Sequence, residues 1–230
     1  MKFFSLLCLS TIAIATPLGS RQSQPQGIDV SGFQPNVDFN QVKANGISFA
    51  FIKATEGTTF RSDTFSNQYT GATNAGIIRG AYHFAHPDSS SGAAQANFFI
   101  DNGGGWTNDG ITLPGALDIE YNPNGPECYG LSASAMVSWA KDFSNTYKAR
   151  TGRAPVIYST TDWWTTCTGN SADFAENPLW IARFASSIGT LPAGWDFATF
   201  WQFANSGPNP GDQDLFNGDA DGLKRMATGS

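Results

Sequence analysis

Short apolar runs recur along the chain at residues 27–31, 47–54, 77–85, 113–120, 154–160, 179–184 and 199–204, with a weaker eighth at 213–216. Several are almost continuously apolar or aromatic. That pattern predicts strands buried on both faces, as in a parallel sheet. Between them lie segments with helical spacing. Residues 38–45 end at Gly46, 64–74 end near Gly76, and 89–102 run from serines into Gly103-Gly104-Gly105. The clearest is 132–151: Ser132 is placed to cap it, Met136, Ala140, Phe143 and Tyr147 share a face, and Gly152 follows the last turn. Strands alternating with helices predict right-handed crossovers. The whole therefore reads as an α/β fold, a single modified (β/α) barrel, TIM-barrel-like, with some helices short or missing.

The first residues read differently. Lys2 precedes an apolar stretch at 3–15 that contains Ala13 and Ala15. It is too short to span a bilayer and predicts a secretory signal peptide over residues 1–16. Residues 17–26 are polar and contain prolines, so they read as a leader or propeptide-like segment, leaving 27–230 as one domain. Cys8 departs with the signal. Cys128 and Cys167 remain, and an oxidising destination predicts that they pair. The 230 residues are 40% hydrophobic and 14% charged, a globular composition with a large core. The formal net charge is −6, and loss of Lys2 makes it more negative still. An acidic chain gains nothing from nucleic acid or an anionic membrane, so neither is expected as a partner. A monomer is the expected state.

In a parallel barrel, chemistry collects at the C-terminal ends of the strands. The polar residues falling there are Asp29, Glu56, His83, Asp118, Glu120, Tyr158, Arg183, Gln202 and the pair Asp212 and Asp214. Asp29 stands inside an apolar run, where an unpaired carboxylate is costly. The run at 113–120 ends in Asp118-Ile119-Glu120. Residues two apart on a strand share a face, about 7 Å apart at Cα. Like charges so close push one pKa up, giving one proton donor and one anion. Glycoside hydrolysis requires that pair. Tyr82, Phe84, Tyr121, Tyr158, Trp163, Trp164 and Trp201 crowd the strand ends and following loops. Such rings stack on sugars, although roughly half are expected in the core, as is Trp139 on the long helix. Glu56 and Arg183 read as a supporting ion pair. His83 and His86 lie three apart at a strand end, a poor spacing for zinc co-ligands, so no metal is expected.

Several segments together resemble glycoside hydrolase family 25, the Chalaropsis-type lysozymes. They are Gly27-Ile28-Asp29-Val30-Ser31, Lys53-Ala54-Thr55-Glu56-Gly57, Gly80-Ala81-Tyr82-His83-Phe84-Ala85-His86-Pro87, Asp118-Ile119-Glu120, Phe200-Trp201-Gln202 and the closing Phe216-Asn217-Gly218. The resemblance implies a secreted N-acetylmuramidase that needs no cofactor. It would cut the β-1,4 bond between N-acetylmuramic acid and N-acetylglucosamine in bacterial peptidoglycan, with retention. It implies Glu120 as general acid/base, and Asp118 as nucleophile or as the group orienting a participating 2-acetamido. Asp29 is implied as a third carboxylate. Asp212 is the fourth by register to Phe216, with Asp214 as alternate. Tyr82 and Tyr158 are expected to line the groove, and Tyr121, Trp201 and Gln202 to contact sugar. Lacking basic charge, the protein must gain its affinity for an anionic wall from the cleft, or act where acidity reduces the repulsion. A chitinase-like hydrolase is the first alternative, but its further Asp two residues before Asp118 is Ala116 here. The second is a non-catalytic carbohydrate-binding barrel, which has no need of three buried acids.

Overall fold

The computed structural model describes residues 24–229. The expected signal peptide, and the leader as far as residue 23, lie outside the described residues. In chain order the elements are β1 (Gln26–Val30), α1 (Phe39–Ala44), β2 (Ile47–Glu56), β3 (Phe60–Arg61), α2 (Phe65–Asn74), β4 (Ile78–Phe84), α3 (Gly92–Phe99), β5 (Ala116–Asp118), α4 (Ala133–Thr151), β6 (Val156–Ser159), α5 (Thr161–Thr168), β7 (Leu179–Ala182), β8 (Phe200–Ala204), β9 (Asp212–Phe216) and α6 (Ala220–Thr228). Every apolar run forms a strand. The short β3, which pairs antiparallel with β2, and the helices α5 and α6 are not foreshadowed by the pattern. Gln26, the last residue of the expected leader, stands in β1, and the Pro25 carbonyl accepts from the Phe216 amide.

Parallel pairing joins neighbours in the order β1-β2-β4-β5-β6-β7-β8. The last strand, β9, is antiparallel to both β8 and β1 and closes the barrel. The expectation of a wholly parallel sheet is corrected here. A parallel return needs a crossover of about a dozen residues or more. Only residues 205–211 separate β8 from β9, so the chain turns straight back. An antiparallel strand presents its first residues where its neighbours present their last.

Side chains alternate between the barrel interior and its outer wall. Phe49, Phe51, Trp180, Phe200 and Phe216 belong to the interior cluster, with the Phe51 and Trp180 rings stacked at 4.6 Å. The outward residues Leu117, Ile119, Ile157, Leu179 and Ile181 pack on Phe99, Phe143, Tyr147, Trp163 and Trp164 of the covering helices. Ile28, Val30, Ala50 and Ile52 do the same against α1 and α2. The longest helix, α4, begins at a Ser132 cap whose Oγ accepts from Ala135 N at 3.3 Å, and it ends at Gly152 with φ 76°. Helix α3 approaches α4 so closely that a Cβ on Gly92 would run into the Trp139 and Phe143 backbones. Trp139 is core, as expected. Cys128 and Cys167 form a disulfide across a separation of 39 residues, which ties the loop after β5 to α5. Chain-entropy reasoning assigns such a closure roughly 4 kcal/mol.

Candidate active site

Alternation along each strand decides which candidate residues meet. Asp29 on β1, Lys53 on β2, Tyr82 and Phe84 on β4, Asp118 on β5, Tyr158 on β6, Trp180 on β7 and Gln202 on β8 all line one hollow. Glu120 joins them from two residues beyond Asp118. Asp212 arrives from the first position of β9, level with Asp29 across the β1–β9 ladder. The hollow measures about 220 Å³ and is rimmed by Val30, Ser31, Phe33 and Gln34. It lies at the strand C-termini, where a parallel barrel presents its loops.

The carboxyls crowd each other. Asp118 is 7% exposed, and its Oδ1 is buried with no hydrogen-bond partner. Burial first, then the charge of Glu120, hold the Asp118 carboxyl well above the usual range. Glu120 is pushed up to about 7 by burial and by Asp212, against the pull of Lys53. Asp29 is pushed up to about 7 by burial and by Asp212. Asp212 itself is raised by burial. The expected split between Asp118 and Glu120 is thus part of a wider one. Asp29, Asp118, Glu120, Asp212 and Asp214 are all raised above their ordinary values, and Lys53 pulls against the rise at Asp118 and Glu120.

Gln202 knits the site together. Its Nε2 donates to Asp29 Oδ2 at 2.7 Å and to Asp212 Oδ2 at 3.1 Å, and its Oε1 accepts from the Tyr158 hydroxyl at 2.9 Å. At 2% exposure it supports the cleft wall and presents little of itself to a ligand. Lys53 Nζ donates to Glu56 Oε2 at 2.6 Å, and Glu56 Oε1 meets His86 Nε2 at 2.7 Å. Burial alone would raise Glu56. The bonds from Lys53 and His86 outweigh it and hold the carboxyl below its ordinary value.

Comparison with known proteins converges on one family. The profile of glycosyl hydrolases family 25 matches residues 28–212. An N,O-diacetylmuramidase of Arthroderma benhamiae is 55% identical, with 100% of this chain and 99% of that one covered. An N,O-diacetylmuramidase of Chalaropsis sp. is 51% identical over 89% of this chain and 99% of its own. The muramidase structure from Acremonium alcalophilum superposes with a TM-score of 0.89 at 64% identity, covering 90% of this chain and 100% of that one. The chain belongs to glycoside hydrolase family 25. It is a glycoside hydrolase built on the family's modified α/β barrel.

Within this family 25 barrel the remaining expected residues divide. Tyr82 and Tyr158 line the hollow, as the resemblance implies. Trp201 does not, because Gln202 takes the inward position of β8 and its neighbour must face out. Trp201 lines a separate outer hollow with Trp195 and Phe197, and its Nε1 donates to the Arg183 carbonyl at 2.9 Å. Tyr121 is 41% exposed beside Glu120, outside the hollow's lining, and accepts from Thr160 Oγ1. Trp163 and Trp164 are entirely core. Asp214 is 0% exposed, one inward position further along β9 than Asp212. The expected Glu56–Arg183 pair does not form, because Lys53 and His86 take Glu56 instead. His83 faces outward into the core, where Thr55 Oγ1 bonds its Nδ1 and Gln95 Oε1 bonds its Nε2. Burial lowers its pKa to about 4, so it stays neutral. Among the described residues no group of three His, Cys, Asp or Glu side chains could hold a metal.

Sequence reasoning missed Lys53, Trp180 and Phe33 as parts of this cleft. The sign for Lys53 was present, a lone cation inside an apolar strand. Trp180 was concealed within a run with no polar marker. Phe33, 91% exposed at the rim, stands in a loop whose course the sequence does not specify.

Proposed function

We propose that this family 25 enzyme is a secreted, monomeric N-acetylmuramidase acting on bacterial peptidoglycan, with Glu120 as general acid/base and Asp118 as its partner. The observation that carries the reading is the unpartnered Oδ1 of Asp118, buried beside Glu120 at the mouth of the barrel. A buried acceptor without a donor is unfavourable, and an incoming amide N–H would satisfy it. N-Acetylated sugars bring that group. With the acetamido N–H held by Asp118, its carbonyl oxygen is turned toward the anomeric carbon. Glu120, poised near 7, protonates the leaving glycosidic oxygen and later takes a proton from water. Asp118 and Glu120 come from one strand and approach the sugar from one side, whereas a direct nucleophile must lie opposite the acid. This favours participation of the acetamido over attack by Asp118. Asp29 and Asp212, tied through Gln202, add negative potential where positive charge develops at carbon 1. The muramidase names of the relatives support the choice of substrate, and the signal-like apolar stretch at residues 3–15 supports the compartment.

Both routes retain configuration. Proton NMR during digestion of a soluble wall glycan should show the β-anomer first, relaxing later to the mixture. The α-anomer as first product would remove both routes.

Lys53 supplies a further check. Its charge lowers the Glu120 carboxyl, so Lys53→Met should raise that pKa and move the alkaline limb of the kcat/KM profile to higher pH. A limb that stays in place, or moves down, would show that Lys53 does not act on the acid electrostatically.

A further inference from the structure

Asp214 plays no part in the chemistry above, yet it is a carboxyl at 0% exposure inside the barrel. Its Oδ1 accepts from Trp180 Nε1 at 2.8 Å. Its Oδ2 is buried, and no N–H or hydroxyl of the protein donates to it. The strand neighbour of Asp214 on β1 is Gly27, whose place toward the interior is taken by the Phe49 ring, and two residues further along β1 comes Asp29. There the Asp214 carboxyl meets the Asp29 carboxyl. Two carboxylates cannot bond each other unless one carries a proton between them. Gln202 Nε2 donates to Asp29 Oδ2 at 2.7 Å, as Trp180 does to Asp214. Each carboxyl thus receives one N–H, but Asp29 reaches the cleft while Asp214 is shut away from solvent at 0% exposure, so Asp214 is the side that keeps the hydrogen.

The geometry points to Asp214 as a positioning residue: a carboxylic acid that stays protonated and donates its hydroxyl to Asp29, fixing that side chain in the cleft. Asp29 is then gripped from below by Asp214 and from the side by Gln202, with its carboxylate aimed at the substrate. Burial, and next the charge of Asp29, hold the Asp214 proton in place. The charged groups around Asp29 are Asp212 on β9, Asp118 on β5, Glu120 just beyond it, and Lys53 on β2. The inference rests on the reading of this cleft as the catalytic site.

Asp214→Asn and Asp214→Leu test it. Asparagine keeps both bonds, since its carbonyl can accept from Trp180 and its amide can donate to Asp29. Leucine removes both. Asp214→Leu should lower kcat about 10- to 100-fold, the worth of one hydrogen bond to a charged group, with KM little changed. Asp214→Asn should recover most of that loss. Infrared difference spectra at mildly alkaline pH provide a readout that does not depend on activity. The wild type should show a carboxylic-acid C=O band that Asp214→Asn lacks. A folded Asp214→Asn enzyme as impaired as Asp214→Leu, or a spectrum in which no acid band is lost, would overturn the proposal. Wild-type protein that shows the band but cleaves no wall would instead count against the functional reading.

Discussion

Glu120→Gln is expected to lower kcat on wall glycan about 10³-fold while KM stays within about twofold. Glutamine preserves the shape of the side chain and removes the transferable proton. The sugar should therefore still bind, and the leaving oxygen should depart unprotonated. The wild-type profile should carry the same signature. Glu120 titrates at about 7, so kcat/KM should fall as pH rises through that value, because the deprotonated form has nothing to donate. An aryl glycoside whose leaving group needs no proton should lose much less than wall glycan does. A uniform loss on both substrates would mean that Glu120 serves binding or folding instead.

The second large effect is expected at Asp118. Asp118→Asn should lower kcat by about 10²-fold or more, through a different cause. In the free protein, burial and the charge of Glu120 raise this carboxyl above its ordinary value, and its buried Oδ1 lacks a partner. As a carboxylate it accepts the acetamido N–H and offsets the positive charge that builds on the participating group, and an asparagine cannot supply that negative charge. Intact-mass spectrometry of rapidly quenched reactions separates the routes. Acetamido participation leaves the protein mass unchanged throughout. A transient adduct of one glycan fragment, lost in Asp118→Asn, would establish the covalent route and displace the one favoured here.

Much of this site was legible because strand parity is legible. Once 113–120 is read as a strand end, Asp118 and Glu120 must share a face, and the structure places both in the hollow. Asp29 announced itself as a charge inside an apolar run, and Lys53 carried the same mark. Parity equally condemned Trp201, since Gln202 and Trp201 cannot both face inward, but motif resemblance drew attention to the pair as a unit. The ambiguity between Asp212 and Asp214 had a different origin. Both face inward, and only the reversed direction of β9 decides that Asp212 is at the mouth and Asp214 is below. That reversal follows from a loop too short for a crossover, a length that can be read only once both strand ends are known. Ion-pair choice was the least legible feature. Glu56 takes the neighbours three residues before it on the chain and beside it in space, Lys53 and His86, and distance in sequence says nothing about Arg183.

The most direct measurement is clearance of purified bacterial cell walls by the wild-type enzyme beside Glu120→Gln, followed by mass spectrometry of the released fragments. The account predicts clearing by the wild type alone, with every new reducing end on N-acetylmuramic acid. New reducing ends on N-acetylglucosamine, or equal clearing by Glu120→Gln, would contradict it.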